Sequence, residues 1–513
     1  MNNSFVVASG SQHGNERQMQ PLKPTITSTA SWPKPNPDDQ ADPWVQLANQ
    51  MKDEADSPKD EPDAEENPFV PAGYTYFGQF VDHDLTFDTA SNLDLGDDTP
   101  PSNDRTTRFD LDCVYGQGPA DAPFMYVDGV KLVDATVDLP RAPNGRAIIG
   151  DPRNDENSIV CQIQMAFIRF HNAVVDRLAA SSRLSGDALF KRAKAEVQWT
   201  YQAILIEDYL PRIVSAEDIA EFDKLRKPDP NGRSTDRSAF KLFKFTNPVR
   251  IPLEFSGAAY RFGHSMIRNG YRLNANTKKH IFSPSGPDSL VGFGPLPVSH
   301  LIDWSLFLPD PDLKSPAVTP GTPVVNNQSG RDRMQLAYKI DPLLADPLAR
   351  LPAVIAEPSK LVSLQLRNLV RGYKLMLSSG QELATLFGIA KRPRLATRKK
   401  EEKKGTQSFT DIPSAFQQNT PLWFYILAEA QQSVVDSLKE KSSFGDDELV
   451  KLGTQLTGVG ARTVLEVFHG LLDADPDSVR NSSDLPKDWK RSHALIANFR
   501  LWDLVTCNLK ESP

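Results

Sequence analysis

Between Ser158 and Leu178 the chain sets Ile159, Ile163, Ala166, Phe167, Phe170 and Val174 at helical spacing, with Asn157 or Ser158 placed to cap the start. A helix with that apolar stripe has to pack against other elements. The sequence offers mostly helices as partners. Helical patterns run over about Gly186–Tyr209, Ser256–Ile267, Ser363–Leu377, Pro421–Leu438 and Val459–Leu472, while strand signals are weak and no internal repeat is visible. The expected fold is mainly α: one large helical domain with little β, long connecting loops, and a core drawn from distant parts of the chain. Residues 275–355, dense in Pro and Gly, read as connecting structure.

The N-terminal stretch is of a different kind. Residues 1–66 are rich in Pro, Asp, Glu, Ser and Gln, and Asp53–Glu66 in particular offers little apolar surface to bury. This predicts a mobile arm over 1–66, with one short helix at Trp44–Met51, followed by the domain proper over 67–513. Arg392–Lys404 reads as a solvated charged loop, with a basic binding patch as the alternative. The formal net charge of −8 argues against a nucleic-acid binder. The three cysteines form no C-x-x-C pair, so neither a disulfide framework nor a structural zinc site is expected. No apolar run of about 18 residues predicts a transmembrane helix. The first residues lack a standard secretory signal, which leaves cytoplasmic location and non-classical secretion both open.

Three segments carry candidate chemistry. In Gly78-Gln79-Phe80-Val81-Asp82-His83-Asp84 a histidine stands between two carboxylates among aromatic neighbours. It is either a helix end with satisfied polar groups or a proton-transfer site, since an imidazole can take and return a proton near neutral pH. In Gly150-Asp151-Pro152-Arg153-Asn154-Asp155-Glu156, directly before the strongest helix, the acids suit ordinary dipole capping, and a fixed Arg153 could polarise a bound oxygen species. In Tyr260-Arg261-Phe262-Gly263-His264 the histidine is a core residue or a ligand, and Gly263 removes bulk where a planar cofactor would approach.

Together these segments resemble the animal-type haem peroxidases of the peroxidase–cyclooxygenase superfamily, with a bacterial flavour in Arg371-Gly372…Leu377-Ser378-Ser379-Gly380-Gln381 and in Gly460–Glu466. The order and spacing agree, and a fourth segment, Val114-Tyr115-Gly116, falls where that family has it. The resemblance spans about residues 70–475 and implies a peroxidase that reduces hydrogen peroxide while oxidising a small organic donor or a halide. It implies haem b as cofactor, with His83 as distal acid–base, Arg153 as distal arginine and Gln79 lining the distal pocket. It also implies His264 as iron ligand, Arg261 as a propionate partner, and Asp82 and Glu156 at positions that form ester bonds to haem methyl groups in mammalian relatives. A calcium ion is implied at Asp84, Thr106, Asp110, Asp112 and the backbone carbonyl of Arg108.

The departures from the family pattern are specific. Asn157 replaces a methionine, so no sulfonium link to haem is expected. The asparagine that bonds the proximal histidine aligns with Gln381, and the arginine three residues further on with Ala384, so that one propionate contact is either lost or replaced. Asp112 replaces a serine. Two rivals stay open. A fatty-acid dioxygenase of the same superfamily would have a tyrosine three residues before His264, where this chain has Arg261 and where the adjacent Tyr260 is expected to face elsewhere. A non-catalytic adhesion or matrix protein could use the same scaffold. The other histidines, His13, His171, His280, His300, His469 and His493, match no catalytic position, and His171 is expected to make a packing hydrogen bond.

Overall fold

The computed structural model describes residues 24–53, 60–61, 63, 65–87, 101–283, 289–311, 319–324, 330–356, 361–400, 406–432, 443–445, 452–486 and 499–507. The architecture is mainly α. Its centre is the long helix Ser158–Ser181, whose N-terminal N–H groups at Ile159 and Val160 are accepted by the Asn157 side chain. Ile159, Ile163, Phe167, Phe170 and Val174 are buried along one stripe of that helix. Phe167 stacks on Phe80 at 4.5 Å between centroids, which seats the helix Gly73–Leu85 against it. This second helix is buried nearly all round, so it lies inside the molecule with helical neighbours on several sides. Gly186–Ile204 continues into a π-helical turn, Leu205–Tyr209, that carries Tyr209 up to Gly78. A Cβ on Gly78 would lie 2.4 Å from the Tyr209 hydroxyl, so only glycine admits this approach.

The β structure is small. Glu66–Pro71 pairs with Leu336–Tyr338, Tyr126–Val127 with Lys131–Leu132, and Gly270–Asn274 with Thr277–His280, all antiparallel. A three-stranded sheet joins Ala396–Lys400, Thr406–Asp411 and Ser443–Gly445. No helix among the described residues is long and apolar enough to cross a membrane.

Three expectations need correction. The first is the mobile arm over 1–66. Residues 24–53 are packed against the body: the helix Pro43–Gln50 is capped by Asp42, and Trp44 is completely buried against Tyr373 and Phe416. Further upstream, Glu254 accepts from Ile26 N, Glu382 accepts from Ser28 and Thr29, and Trp32 Nε1 donates to the Asn419 carbonyl at 2.7 Å. The polar average of the stretch hides two tryptophans with partners far along the chain. Most of the acidic run 54–64 lies outside the described residues, but Glu65 and Glu66 are buried in ion pairs with Arg398, Arg268 and Arg333.

The second is the charged loop Arg392–Lys404. Its part Ala396–Lys400 is a strand, and Arg398 is buried between Glu65 and Asp341, while 401–405 lie outside the described residues. The third is the continuous helix Ser256–Ile267. The chain forms a short helix, Leu253–Gly257, breaks at Ala258 with φ −140°, and continues as a 3₁₀ segment over Ala259–Met266. Trp44→Ala is expected to cost about 3–5 kcal/mol in urea denaturation, as for other buried aromatic truncations. The exposed Lys34→Ala should stay within about 0.5 kcal/mol.

Candidate active site

A cavity of about 420 Å³ opens between the helix Gly73–Leu85, the Pro152–Asp155 turn, the 3₁₀ segment Ala259–Met266 and the helix Leu364–Lys374. Gln79, Asp82, His83, Arg153, Glu156, Arg261 and His264 all line it. Two short motifs thus supply one wall and a third supplies the other.

His83 is oriented from behind. Its Nδ1 lies 2.8 Å from Asn154 Oδ1, and Asn154 Nδ2 donates to Gln164 Oε1 at 2.8 Å. This chain fixes the Asn154 amide, places the proton on Nδ1, and leaves Nε2 as the basic nitrogen. Burial, reinforced by the Arg153 guanidinium, lowers the imidazole to about 4, so the ring is neutral near pH 7. Arg153 is held by Asp151, which accepts from its backbone N, its Nε and its Nη2, and Nη2 also reaches the His83 carbonyl at 3.2 Å. The Phe87 ring lies 4.6 Å from the guanidinium carbon. Asn157 does two jobs. It caps the long helix through Oδ1, and its Nδ2 donates to Gln79 Oε1 at 3.2 Å, which leaves the Gln79 amide N–H groups for the cavity. Burial pushes Glu156 up to about 7, against the pull of Arg153.

On the other wall, burial and then Arg261, Arg371 and Arg367 lower His264 to about 3. Asn368 Nδ2 lies 2.8 Å from His264 Nδ1. With the amide turned over, Nδ1–H donates to its oxygen and Nε2 is bare for a metal. The position assigned to Gln381 is therefore corrected. The Gln381 amide donates to Thr420 Oγ1 at 2.8 Å and accepts from Thr420 N at 2.9 Å, away from the cavity. The partner of His264 is Asn368, one helix earlier, and Arg371 stands three residues after it, also on the cavity wall. The spacing expected at Gln381 and Ala384 is thus met at Asn368 and Arg371, and no propionate contact need be lost. Arg261 donates through Nε to the Ser256 carbonyl at 2.9 Å, and a Cβ added to Gly263 would meet nothing within 4 Å. Tyr260, expected to face elsewhere, also lines the cavity and donates to the Tyr209 hydroxyl at 3.2 Å.

The residues present fit a haem: two neutral imidazoles on opposite elements, open space at Gly263, and Arg261, Arg367 and Arg371 for two carboxylates. The sequence reading gave no site role to Asn154, Gln164, Asn157, Asn368 or Arg371. Asparagine and arginine at a three-residue interval on an amphipathic helix were the signal for the last pair.

Beside the cavity, Asp84, Asp110 and Asp112 bring carboxylate oxygens within 4.8 Å of one another. Asp84 is fully buried, and neither of its oxygens has a hydrogen-bond partner among the described residues. Burial, then Asp110 and Asp112, hold its carboxyl well above the usual range. Thr106 Oγ1 donates to Asp110 at 2.8 Å, and Arg108 sends its guanidinium out to Asp475 and Asp477, which leaves only its carbonyl for the cluster. Hard carboxylate oxygens gathered at a buried position fit calcium. The corrected His264 partner has a direct check. In haem-loaded protein, Asn368→Ala should shift the iron–histidine stretching band and raise the reduction potential, because the hydrogen bond strengthens the ligand, whereas Gln381→Ala should leave both unchanged in resonance Raman and potentiometry.

The family model described as animal haem peroxidase matches residues 103–289. Human thyroid peroxidase is 27% identical over 219 residues, 37% of this chain and 22% of that protein. Peroxidase mlt-7 of Caenorhabditis elegans is 28% identical over 135 residues, 26% of this chain and 17% of that protein, so the matched part spans less than a quarter of either relative. By fold, peroxidase A from Dictyostelium discoideum aligns over 96% of this chain and 93% of its own, with a TM-score of 0.57 and 13% identity. The fatty acid alpha-dioxygenase of Oryza sativa aligns over 95% of this chain and 80% of its own, with a TM-score of 0.56 and 16% identity. Residues 103–289 thus match the animal haem peroxidase family model, and the fold is shared with peroxidase A of Dictyostelium discoideum and the fatty acid alpha-dioxygenase of Oryza sativa.

Proposed function

We propose that this protein reduces hydrogen peroxide at a haem held between His83 and His264, and oxidises small organic donors or halides. The observation that carries this reading is the pair of oriented imidazoles facing one cavity, His83 set by Asn154 and His264 set by Asn368. When bound, haem supplies the redox chemistry and the metal that receives peroxide. His83 Nε2 takes the proton from the near oxygen of peroxide and returns it to the far oxygen, which leaves as water. Arg153, fixed by Asp151, stabilises negative charge on the departing oxygen, and the Gln79 amide N–H groups hold water or a halide. His264 would hold the metal through Nε2, and Arg261 and Arg371 would pair with the carboxylates of the haem. Asp82 and Glu156 are the carboxylates assigned to ester bonds with haem methyl groups, a link whose formation would need peroxide turnover.

One observation favours the dioxygenase rival: Tyr260 faces the cavity and is hydrogen-bonded to Tyr209. Against it, the place three residues before His264 is an arginine bonded to the Ser256 carbonyl. Oxygen uptake with a long-chain fatty acid in place of peroxide-dependent donor oxidation would select that rival, and absence of both activities would select the non-catalytic scaffold.

The test of the main reading is stopped-flow mixing of peroxide with haem-loaded protein. His83→Ala should retain haem yet react about 10²–10⁴-fold more slowly. A wild-type rate in that variant overturns the assignment. For the metal, one calcium per chain is expected by elemental analysis of the holoprotein. Asp110→Ala with Asp112→Ala should bring it to zero and slow the peroxide reaction as well, since Asp84 adjoins His83. A metal-free variant with full activity would count against a structural calcium site.

A further inference from the structure

The packed N-terminal segment does more than close the surface. The helix Leu364–Lys374 carries Asn368 and Arg371 on the cavity wall and Tyr373 two residues later. The Tyr373 ring lies 5.9 Å from that of Trp44, at 70°, and Trp44 lies 6.0 Å from Trp32, at 77°. Trp44 is completely buried, whereas Trp32 is half-buried between the exposed Ser31 and Pro33. Three oxidisable rings in edge contact therefore run from the cavity helix to the surface. Each indole N–H donates to a backbone carbonyl, Trp44 to Pro33 at 2.9 Å and Trp32 to Asn419 at 2.7 Å, so each ring keeps its orientation and its proton. Tyrosine and tryptophan in unbroken contact add the capacity to give up and regain single electrons.

We propose that Tyr373, Trp44 and Trp32 relay electrons to the cavity, and that the Trp32 face is a second donor site for electron-rich aromatic groups carried on molecules too large to enter. The proposal rests on the peroxidase reading, because peroxide delivered to the bound haem is the oxidant. Tyr373 gives one electron toward the haem and releases its phenolic proton to water. Trp44 returns an electron to Tyr373, which regains a proton, and Trp32 refills Trp44. A donor phenol at the surface then gives one electron to Trp32 and releases its own proton. Two such passages, each with one proton, convert one peroxide and two phenols to two waters and two phenoxyl radicals.

The experiment uses haem-loaded full chain and peroxide, with free phenol and a phenol coupled to a high-molecular-mass polymer as the two donors, plus spin-trapping followed by peptide mass spectrometry. Wild type should oxidise both donors and carry trap adduct on the peptide containing Trp32. Trp32→Phe should lose oxidation of the polymer-bound phenol by about tenfold or more with free phenol unchanged. Trp44→Phe, matched to wild type in haem content and circular dichroism, should lose the adduct at Trp32. Polymer-bound phenol oxidised by Trp32→Phe at the wild-type rate overturns the relay, and because Trp32 is half-exposed this arm does not depend on a core substitution. An undiminished Trp32 adduct in Trp44→Phe overturns it too. If wild type oxidises free phenol but not the polymer-bound form, the relay alone fails; if it oxidises neither, the peroxidase reading falls and takes the relay with it.

Discussion

One buried carboxylate holds together the cavity wall that carries His83 and Arg153. Asp151 is fully buried and accepts from two guanidinium groups, Arg105 and Arg153. Burial alone would push its carboxyl up, but Arg153 and Arg105 outweigh that and hold it well below the usual range. Arg153 is thereby pinned against the His83 carbonyl, and Arg105 reaches on to Asp112 in the acidic cluster at 3.4 Å. The preceding Gly150 makes this geometry possible, since a Cβ there would lie 2.6 Å from the carbonyl oxygens of Asp112 and Cys113. The acidic cluster and Arg153 are thus two ends of one charge network, built where two segments of backbone touch. A buried ion pair of this kind contributes little net stability, but it fixes positions that isolated side chains would not keep.

The cavity is also an electrostatic environment. Arg153, Arg261, Arg367 and Arg371 line it against Asp82 and Glu156, so its walls carry an excess of positive charge. Burial is the main reason both imidazoles stay neutral, and the arginines reinforce it. Neutrality is the useful state for each: a general base needs a free lone pair, and so does a metal ligand. The same positive field suits carboxylates of a cofactor and anionic small molecules.

Much of the site was legible because its chemistry sits in short contiguous motifs. Gln79, Asp82, His83 and Asp84 come from one helix, Arg153 and Glu156 from one turn, and Arg261 and His264 from one 3₁₀ segment. Local spacing survives folding. The partner of His264 did not yield to the same reading, because it lies on another helix, 104 residues along the chain. Counting along the chain placed the amide at Gln381 when Asn368 does the work. The mainly α fold followed from periodicity, and the helix Ser158–Ser181 sits close to where that pattern put it. The N-terminal packing was invisible to composition, since Trp44 finds its partners in Tyr373 and Phe416. The same holds for Arg398, a charge in a charged run that is nonetheless buried because Glu65 and Asp341 meet it from elsewhere.

The seating of Trp44 has a consequence for how the chain is made. Its contact partners Tyr373 and Phe416 emerge from the ribosome long after it does. At typical rates of synthesis that interval is on the order of 20–70 s. Throughout it, two indole rings and the apolar face of Pro43–Gln50 have nowhere native to go. Contacts so distant in sequence also close slowly once all the chain is present. Trp44 is therefore made long before the residues that cover it, and the nascent chain depends on whatever shields this ring while Tyr373 and Phe416 are still to come.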